Sequence, residues 1–393
     1  MTYVLNSHLR RHDTYHSWFE YTDADYIVRH TISEPTDIEV VPTVCGEMTP
    51  AEWRSHILAI PNPPQWACFR FMIIQRADHF TFFASIDHID IDFISVGVAF
   101  AEIHMMYATL VDGGRPIRLA EVGSYDDYCV RQRAYTSALT LESPEIRRWI
   151  EFAENNGGTL PDCPLPLGDA SASCDLLGAQ LLDDRQTAGF ESACVAAGAR
   201  FSGGVFACAA LAQYELTGAE TYSVITPADN RCSPADFRTA GWFSDPVPIT
   251  VPITVSSFGE TVRAAQASFD SGRDSANVLF GQVLELAPWL RRPQRSAPMV
   301  FFFDVGVTPL SALFNSQFDA LNVSLYHVDG FGGEFNIRVF RLEKETQVIV
   351  QFPDNPVARD SVTRYIAALQ SVYAHVADAH GALPAQGTGL VGW

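Results

Sequence analysis

The densest run of titratable side chains is Asp87-His88-Ile89-Asp90-Ile91-Asp92, six residues between a β-rich run and an apolar-periodic stretch. An elbow of this kind lets a side chain face a cleft while its backbone is held rigid. A histidine there can act as general base, because imidazole titrates near working pH and one ring nitrogen can take a hydroxyl proton. Asp92 lies four residues on, one helical turn away, placed to orient that ring or to pair with a distant arginine. Proton transfer of this type supplies roughly 10²–10⁴ in rate, and holding two substrates in line must supply the rest. Three readings of these residues stay open on spacing alone. The first is a polar helix start, with Asp87 or Asp90 complementing the helix dipole and His88 merely solvated. The second is an Asp-x-Asp metal site at Asp90 and Asp92, as in metal-dependent glycosyl transfer. The third is acyl transfer by His88-x-x-x-Asp92.

The elements that must position the elbow follow from periodicity. Residues 69–75 and 79–86 read as a hairpin around Arg76-Ala77-Asp78, and residues 93–111 as a helix. Upstream, Val4, Leu5, Leu9, Tyr15, Trp18 and Phe19 predict one helix over residues 2–19. Thr49-Pro50-Ala51-Glu52 is a helix start, with Thr49 as cap and Glu52 three residues on. Residues 157–169 hold three prolines and three glycines in thirteen positions, which predicts a linker. Beyond it, helices are predicted over 184–198, 202–217 and 258–270, with strands over 221–226, 247–255 and 299–304. A second hairpin, 335–342 and 346–352, runs into a helix over 357–376. Hairpin, polar elbow and long helix thus occur twice, but the second elbow, Pro353-Asp354-Asn355-Pro356, has no histidine.

Length and charge bound the function. The 393 residues predict two domains, 1–156 and 171–380, joined by 157–170 and followed by a flexible tail over 381–393. Hydrophobic residues make up 47%, enough for a sizeable core. A net charge of −20 argues against nucleic-acid binding without a local basic groove, and none is evident. The one lysine, Lys344, lies between two glutamates, which removes Walker-type phosphate binding and Schiff-base chemistry. Eight scattered cysteines without a Cys-x-x-Cys pair are expected to be buried free thiols, not a disulfide framework or a zinc site. The opening residues lack an apolar signal core, and Glu102 and His104 interrupt the longest apolar stretch, so neither a leader nor a membrane span is expected. A cytoplasmic protein is anticipated.

His88-x-x-x-Asp92 after a strand and before a helix resembles the active-site motif of the condensation-domain and chloramphenicol-acetyltransferase-like superfamily. Arg11-His12, then Thr226-Pro227-Ala228-Asp229-Asn230-Arg231, Gly241-Trp242-Phe243 and Val247-Pro248-Ile249-Thr250-Val251-Pro252, look like its further landmarks in order. The runs His8–Glu20, Ala197–Phe206 and Phe352–Pro356 are similar to one branch nearly word for word. That branch is the mycobacterial polyketide-synthase-associated acyltransferases that acylate trehalose or trehalose sulfate. The match runs from residue 1 to about 376, and the arginine-for-lysine bias fits an actinobacterial source.

The resemblance implies an α/β fold of two acetyltransferase-like domains forming a V-shaped pseudo-dimer, with a cleft and channel between them. The chain would begin inside the family's first helix, with the first strand missing, and a degenerate, non-catalytic paralogue that binds lipid or a synthase partner is the alternative reading. An acyl thioester, on coenzyme A or a carrier protein, would be co-substrate with a trehalose-type sugar, and no cofactor or metal would be bound. A polyketide synthase partner and peripheral contact with the inner membrane face also follow. His88 would be the base, with Asp92 supporting the loop through Arg231. Asp87, Phe93, Trp242 and Asp304 are candidate channel residues. Asp87 departs from the usual first histidine of the motif, and Phe93 from the glycine that often follows its aspartate. Arg291, Arg292 and Arg295 form the clearest basic cluster, a candidate phosphate or sulfate contact or a solvated loop. His8, His12 and His16 have metal-binding spacing but no evident carboxylate partner, so surface or junction histidines are expected. Phe301 to Phe303 suit a channel wall or core. Tyr326, His327 and Asp329, before a glycine-rich turn, receive no chemistry.

Overall fold

Val4, Leu5, His8 and Leu9 recur at helical spacing and are buried along one face of α1 (Thr2–Arg11). The structure, a computed structural model, describes residues 1–22, 26–58, 69–169, 173–293, 297–305, 321–323 and 335–380. The helix expected over 2–19 stops at Arg11, because His12 is extended (φ −115°, ψ 114°) and a 3₁₀ turn, Asp13–His16, follows. Asp13 there accepts hydrogen bonds from Ser124 Oγ and from the N–H groups of Tyr125 and Asp126. It serves a later helix instead of continuing its own. Trp18 and Phe19 fall in β1 (Ser17–Tyr21), which pairs antiparallel with β2 (Ile27–Thr31).

Strand β3 (Thr43–Cys45) runs parallel to β4 (Phe69–Gln75), and β4 pairs antiparallel with β5 (Phe80–Ile86). The helix between β3 and β4, α2 (Pro50–Leu58), starts with the reciprocal box its sequence predicts. Thr49 Oγ accepts the Glu52 N–H (3.3 Å), and the Glu52 carboxylate accepts the Thr49 N–H (2.8 Å). The elbow then leads from β5 into α3 (Phe93–Val111), and α4 (Tyr125–Ser137) follows.

Two compact units account for the chain. The first takes Met1–Ala138, Asn230–Ser244 and Leu321 among its described residues, and the second takes Leu139–Asp229, Asp245–Val307 and the described residues from Asn322 onward. This division is not the pair of contiguous halves that composition suggests: residues 157–169 form no helix or strand and lie within the second unit. That unit comprises α5 (Pro144–Asn155), β6 (Cys174–Leu182), α6 (Asp184–Ala196), α7 (Phe201–Thr217), β7 (Thr221–Asp229), β8 (Ser244–Pro252), α8 (Phe258–Arg273), α9 (Phe280–Leu286), β9 (Met299–Asp304), β10 (Asn336–Arg341), β11 (Thr346–Pro353) and α10 (Pro356–His380). Its six strands lie in the order β6-β11-β10-β9-β7-β8, with β9 parallel to both β10 and β7. Helix α10 packs against α6 and α7, and Phe190, Phe206, Phe352 and Tyr373 fill the core between helices and sheet.

In the first unit a polar network binds α1 to α3. Glu102 on α3 accepts from His8 Nδ1 (2.9 Å), His12 Nε2 (2.9 Å) and Arg11 Nε (2.9 Å), and His8 Nε2 faces the Tyr15 hydroxyl at 3.4 Å. His8, His12 and His16 are therefore buried, not surface histidines, and α3 supplies the carboxylate that no local spacing revealed. His16 turns away to the Leu9 carbonyl. Helix α3 is long and apolar enough to cross a membrane (mean hydropathy 1.5). Here it buries Val98, Ala101, Ile103 and Met106 within the unit, and its Glu102 charge is met by Arg11.

Burial pushes the His12 imidazole down from 6.5 to about 4, against the pull of Glu102. Burial alone would raise Glu102, but hydrogen bonds from His12 and His8 hold it well below the usual carboxylate range. The folded state thus binds fewer protons than the unfolded chain at these sites, so stability rises with pH through this window. The His12 contribution is complete above pH 6.5 and is lost as pH falls toward 4. Thermal unfolding between pH 7.5 and 4.5 should show a falling midpoint. His12→Asn, which removes the titrating ring but leaves His8, Arg11, Tyr15 and Glu102 in place, should flatten that slope.

Packing of α6 on α10 yields a second expectation. A Cβ on Gly189 would meet the Ala377 carbonyl oxygen at 2.7 Å, a backbone atom that cannot swing aside. Gly189→Ala gains helix propensity of about 1 kcal/mol, yet it forces the two helices apart at a cost of about 1–3 kcal/mol. Urea unfolding should show a lowered midpoint with an unchanged slope.

Candidate active site

The elbow is a tight turn. Asp90 N–H bonds to the Asp87 carbonyl (3.2 Å), and Asp87 Oδ1 accepts the Ile89 N–H (2.9 Å). His88 is exposed at this turn, and the Trp242 ring lies over it with centroids 4.6 Å apart and planes inclined at 36°. Trp242 is itself held, its Nε1 donating to the Ser244 carbonyl at 2.6 Å.

Asp92 is the N-cap of α3 and is only 5% exposed. Its Oδ1 accepts from the Ser95 N–H (2.8 Å) and from Arg231 Nη2 (2.9 Å), and its Oδ2 accepts from Arg231 Nη1 (2.6 Å) and the Phe243 N–H (3.1 Å). Arg231 is closed in as completely: Nε donates to the Asp236 carbonyl (3.1 Å), Nη2 reaches Ser95 Oγ (3.0 Å), and Phe243 lies 4.3 Å beneath the guanidinium carbon. With the Ser95 hydroxyl (2.9 Å) as a third donor to Oδ1 and two donors on Oδ2, Asp92 has no lone pair to offer a substrate. Ser95, which local reading passed over, bridges Asp92, Arg231 and both backbone groups of Gly241. Its only sequence signal is its place three residues after the helix cap.

The other candidates fall elsewhere. Phe93 opens α3 and is half-buried. Asp304, at the end of β9 in the second unit, pairs with Arg341 (3.2 Å), while Phe302 stacks on Phe201 in that unit's core. Arg291 is tied to the loop at Gly157, Nη2 donating to its carbonyl at 2.6 Å, and Arg292 is exposed. Arg295, Tyr326, His327, Asp329 and the 381–393 tail lie outside the described residues.

Neither candidate metal set suits a cation. Asp92 holds a guanidinium where a divalent ion would have to sit, so Asp90 and Asp92 cannot share one. His8, His12 and Glu102 bring three donor atoms within 4.8 Å of one another. However, His12 Nδ1 accepts the Ala240 N–H (3.1 Å), so Nε2 must carry the ring proton that Glu102 receives. Binding a metal through Nε2 would require either an imidazolate or loss of the Ala240 hydrogen bond. Burial pushes the Cys163 and Cys194 thiols up to about 12, which keeps these two protonated and unreactive. Cys232 corrects the expectation of buried thiols, for it is exposed, and Cys68 lies outside the described residues.

Residues 50–329 match the Condensation domain family. The chain is 55% identical over 380 residues to the 2'-acyl-2-O-sulfo-trehalose (hydroxy)phthioceranyltransferase PapA1 of Mycobacterium tuberculosis, covering 96% of this chain and 74% of the relative. It is 53% identical over 393 residues to the trehalose-2-sulfate acyltransferase PapA2 of Mycobacterium bovis, covering 99% of this chain and 83% of the relative. A solved PapA2 acyl transferase superposes with a TM-score of 0.88 at 52% identity, over 96% of this chain and 83% of that one. The condensation domain of the enacyloxin polyketide synthase superposes at 0.72 with 16% identity, over 99% of this chain and 77% of that one, a likeness of fold alone. Identity at this level along nearly the whole chain, on the same fold, leads to one assignment: the chain belongs to the condensation-domain family and, within it, to the mycobacterial PapA acyltransferases.

Proposed function

We propose that this O-acyltransferase moves a long-chain acyl group from a thioester to a hydroxyl of trehalose or trehalose 2-sulfate, with His88 as general base. The observation that carries the reading is the contrast between the elbow's two motif residues. Asp92 is wholly engaged by Arg231, Ser95 and backbone, whereas His88 is exposed at a turn those bonds make rigid. Relatives whose names specify acylation of sulfated trehalose support the sugar.

In the reaction, a ring nitrogen of His88 takes the hydroxyl proton as the sugar oxygen attacks the thioester carbonyl. The resulting tetrahedral centre collapses and breaks the carbon–sulfur bond. The departing thiolate takes the proton from His88, which restores the base, so no acyl group is attached to the protein. Coenzyme A or a carrier-protein arm of a polyketide synthase supplies the thioester. Such donors are cytosolic, and the ester product is lipidic, which suits work at the inner face of the membrane. Exposed Arg292 is our candidate contact for a phosphate or sulfate group. Asp87, Phe93 and Trp242 are assigned to the substrate path, Trp242 because its ring lies on His88, whereas Asp304 is taken up by Arg341 in the second unit.

His88→Ala should lower turnover of an acyl-coenzyme A with trehalose 2-sulfate by about 10²–10⁴-fold without loss of fold. Undiminished turnover would sink the base assignment. The same acyl chain offered on coenzyme A and on a carrier protein will separate the two donors. Excess EDTA should leave the rate unchanged; its abolition would return Asp90 and Asp92 to consideration as metal ligands. Arg231→Ala removes one partner of a buried ion pair and should destabilise the protein by about 3–5 kcal/mol, with activity falling alongside. A fully stable and active variant would remove Arg231 from the supporting role.

A further inference from the structure

Three successive anchors hold the segment that covers His88. The Ala240 N–H donates to His12 Nδ1 (3.1 Å), the Gly241 N–H to Ser95 Oγ (3.0 Å), and the Phe243 N–H to Asp92 Oδ2 (3.1 Å). Trp242, between the second and third anchors, presents its ring to His88. Two of the anchors belong to the ion-pair cluster, but the first comes from the residue that caps the C-terminus of α1, a histidine with no exposure. His12 can accept at Nδ1 only if its proton is on Nε2, and Glu102 holds it there at 2.9 Å. The role of the buried imidazole is therefore defined: one nitrogen reads a carboxylate on α3 and the other fixes a backbone amide two residues before Trp242.

We propose that His12 is a positioning residue for His88, acting through the Ala240–Phe243 backbone and the Trp242 ring. It touches no substrate. Glu102 sets the ring's tautomer, the ring sets Ala240, and Ala240 sets where Trp242 lies on the base. The inference rests on the reading of His88 as base and adds a residue, 76 positions earlier in the chain, that determines how His88 is held.

Two isosteric variants divide the ring's functions. His12→Asn keeps an acceptor where Nδ1 stands and loses the donor to Glu102, while His12→Gln keeps a donor near Nε2 and loses the acceptor for Ala240. Steady-state acyl transfer on the full chain, with an acyl-coenzyme A and trehalose 2-sulfate, is paired with diethyl pyrocarbonate labelling of His88 read by peptide mass spectrometry. His12→Gln should lower kcat about ten- to a hundredfold with KM unchanged and should speed His88 labelling severalfold as Trp242 leaves the ring. His12→Asn should restore both toward wild type. Equal kcat in the two variants, with His88 labelled at the wild-type rate, would reduce His12 to a helix-packing group and overturn the proposal. Trp242→Ala, at a half-exposed position that folding tolerates, supplies a second test. It should raise labelling and lower kcat, and if it changes neither, the proposal fails whatever the His12 variants do. Failure of the underlying base assignment would show separately, as full turnover in His88→Ala.

Discussion

The buried ion pair between Asp92 and Arg231 is the constraint on which the site depends. Two charges withdrawn from water lose several kcal/mol of hydration each, and only complete hydrogen bonding offsets that loss. Here the compensation is complete: a bidentate contact, the Ser95 and Phe243 N–H groups on the carboxylate, backbone carbonyls on the guanidinium, and the Phe243 ring beneath it. The positive end of the α3 dipole favours the same carboxylate. No member can move alone without leaving a buried charge unpaired, so the turn that carries His88 inherits the rigidity of the whole cluster.

This arrangement divides labour between two residues four positions apart. Asp92 is buried and fully hydrogen-bonded, whereas His88 is exposed at the turn beside Trp242, and the proposed roles rest on that contrast. The second buried cluster, Glu102 with His8, Arg11 and His12, extends the same logic to α1. Segment 230–243 is thereby fastened from two helices of the first unit, although in sequence it lies between two strands of the second unit's sheet.

Much of the fold was legible because period 2 and period 3.6 separate cleanly where one face is buried. The pair β4 and β5, helix α3, strand β9, and the β10–β11 hairpin with α10 lie within a few residues of their expected bounds. Helix α4 escaped because only Tyr128 along its length is buried, so its sequence carries almost no stripe. Helix α5 did carry signals that went unread: Ser143, Pro144 and Glu145 at its start, and Ile146, Trp149, Phe152 and Ala153 on one face. The overlong first helix failed for a tertiary reason. Tyr15, Trp18 and Phe19 fit the helical period, but Asp13 is drawn off to α4 and Trp18 stacks on His30 across a strand pair.

Sequence alone determined the chemistry on offer: a histidine and an aspartate one turn apart at a strand-to-helix elbow, an arginine after a later strand, and runs of words shared with a family. These are local facts, set by residue type and spacing along the chain. Only the tertiary structure decided how they are used. Nothing in spacing brings Arg231 to Asp92 across 139 residues, lays Trp242 on His88, or turns His12 from a surface group into a buried link between Glu102 and Ala240. Such partnerships are fixed by which faces the core buries together, and burial decides whether a polar side chain must find a partner or is free to meet a substrate.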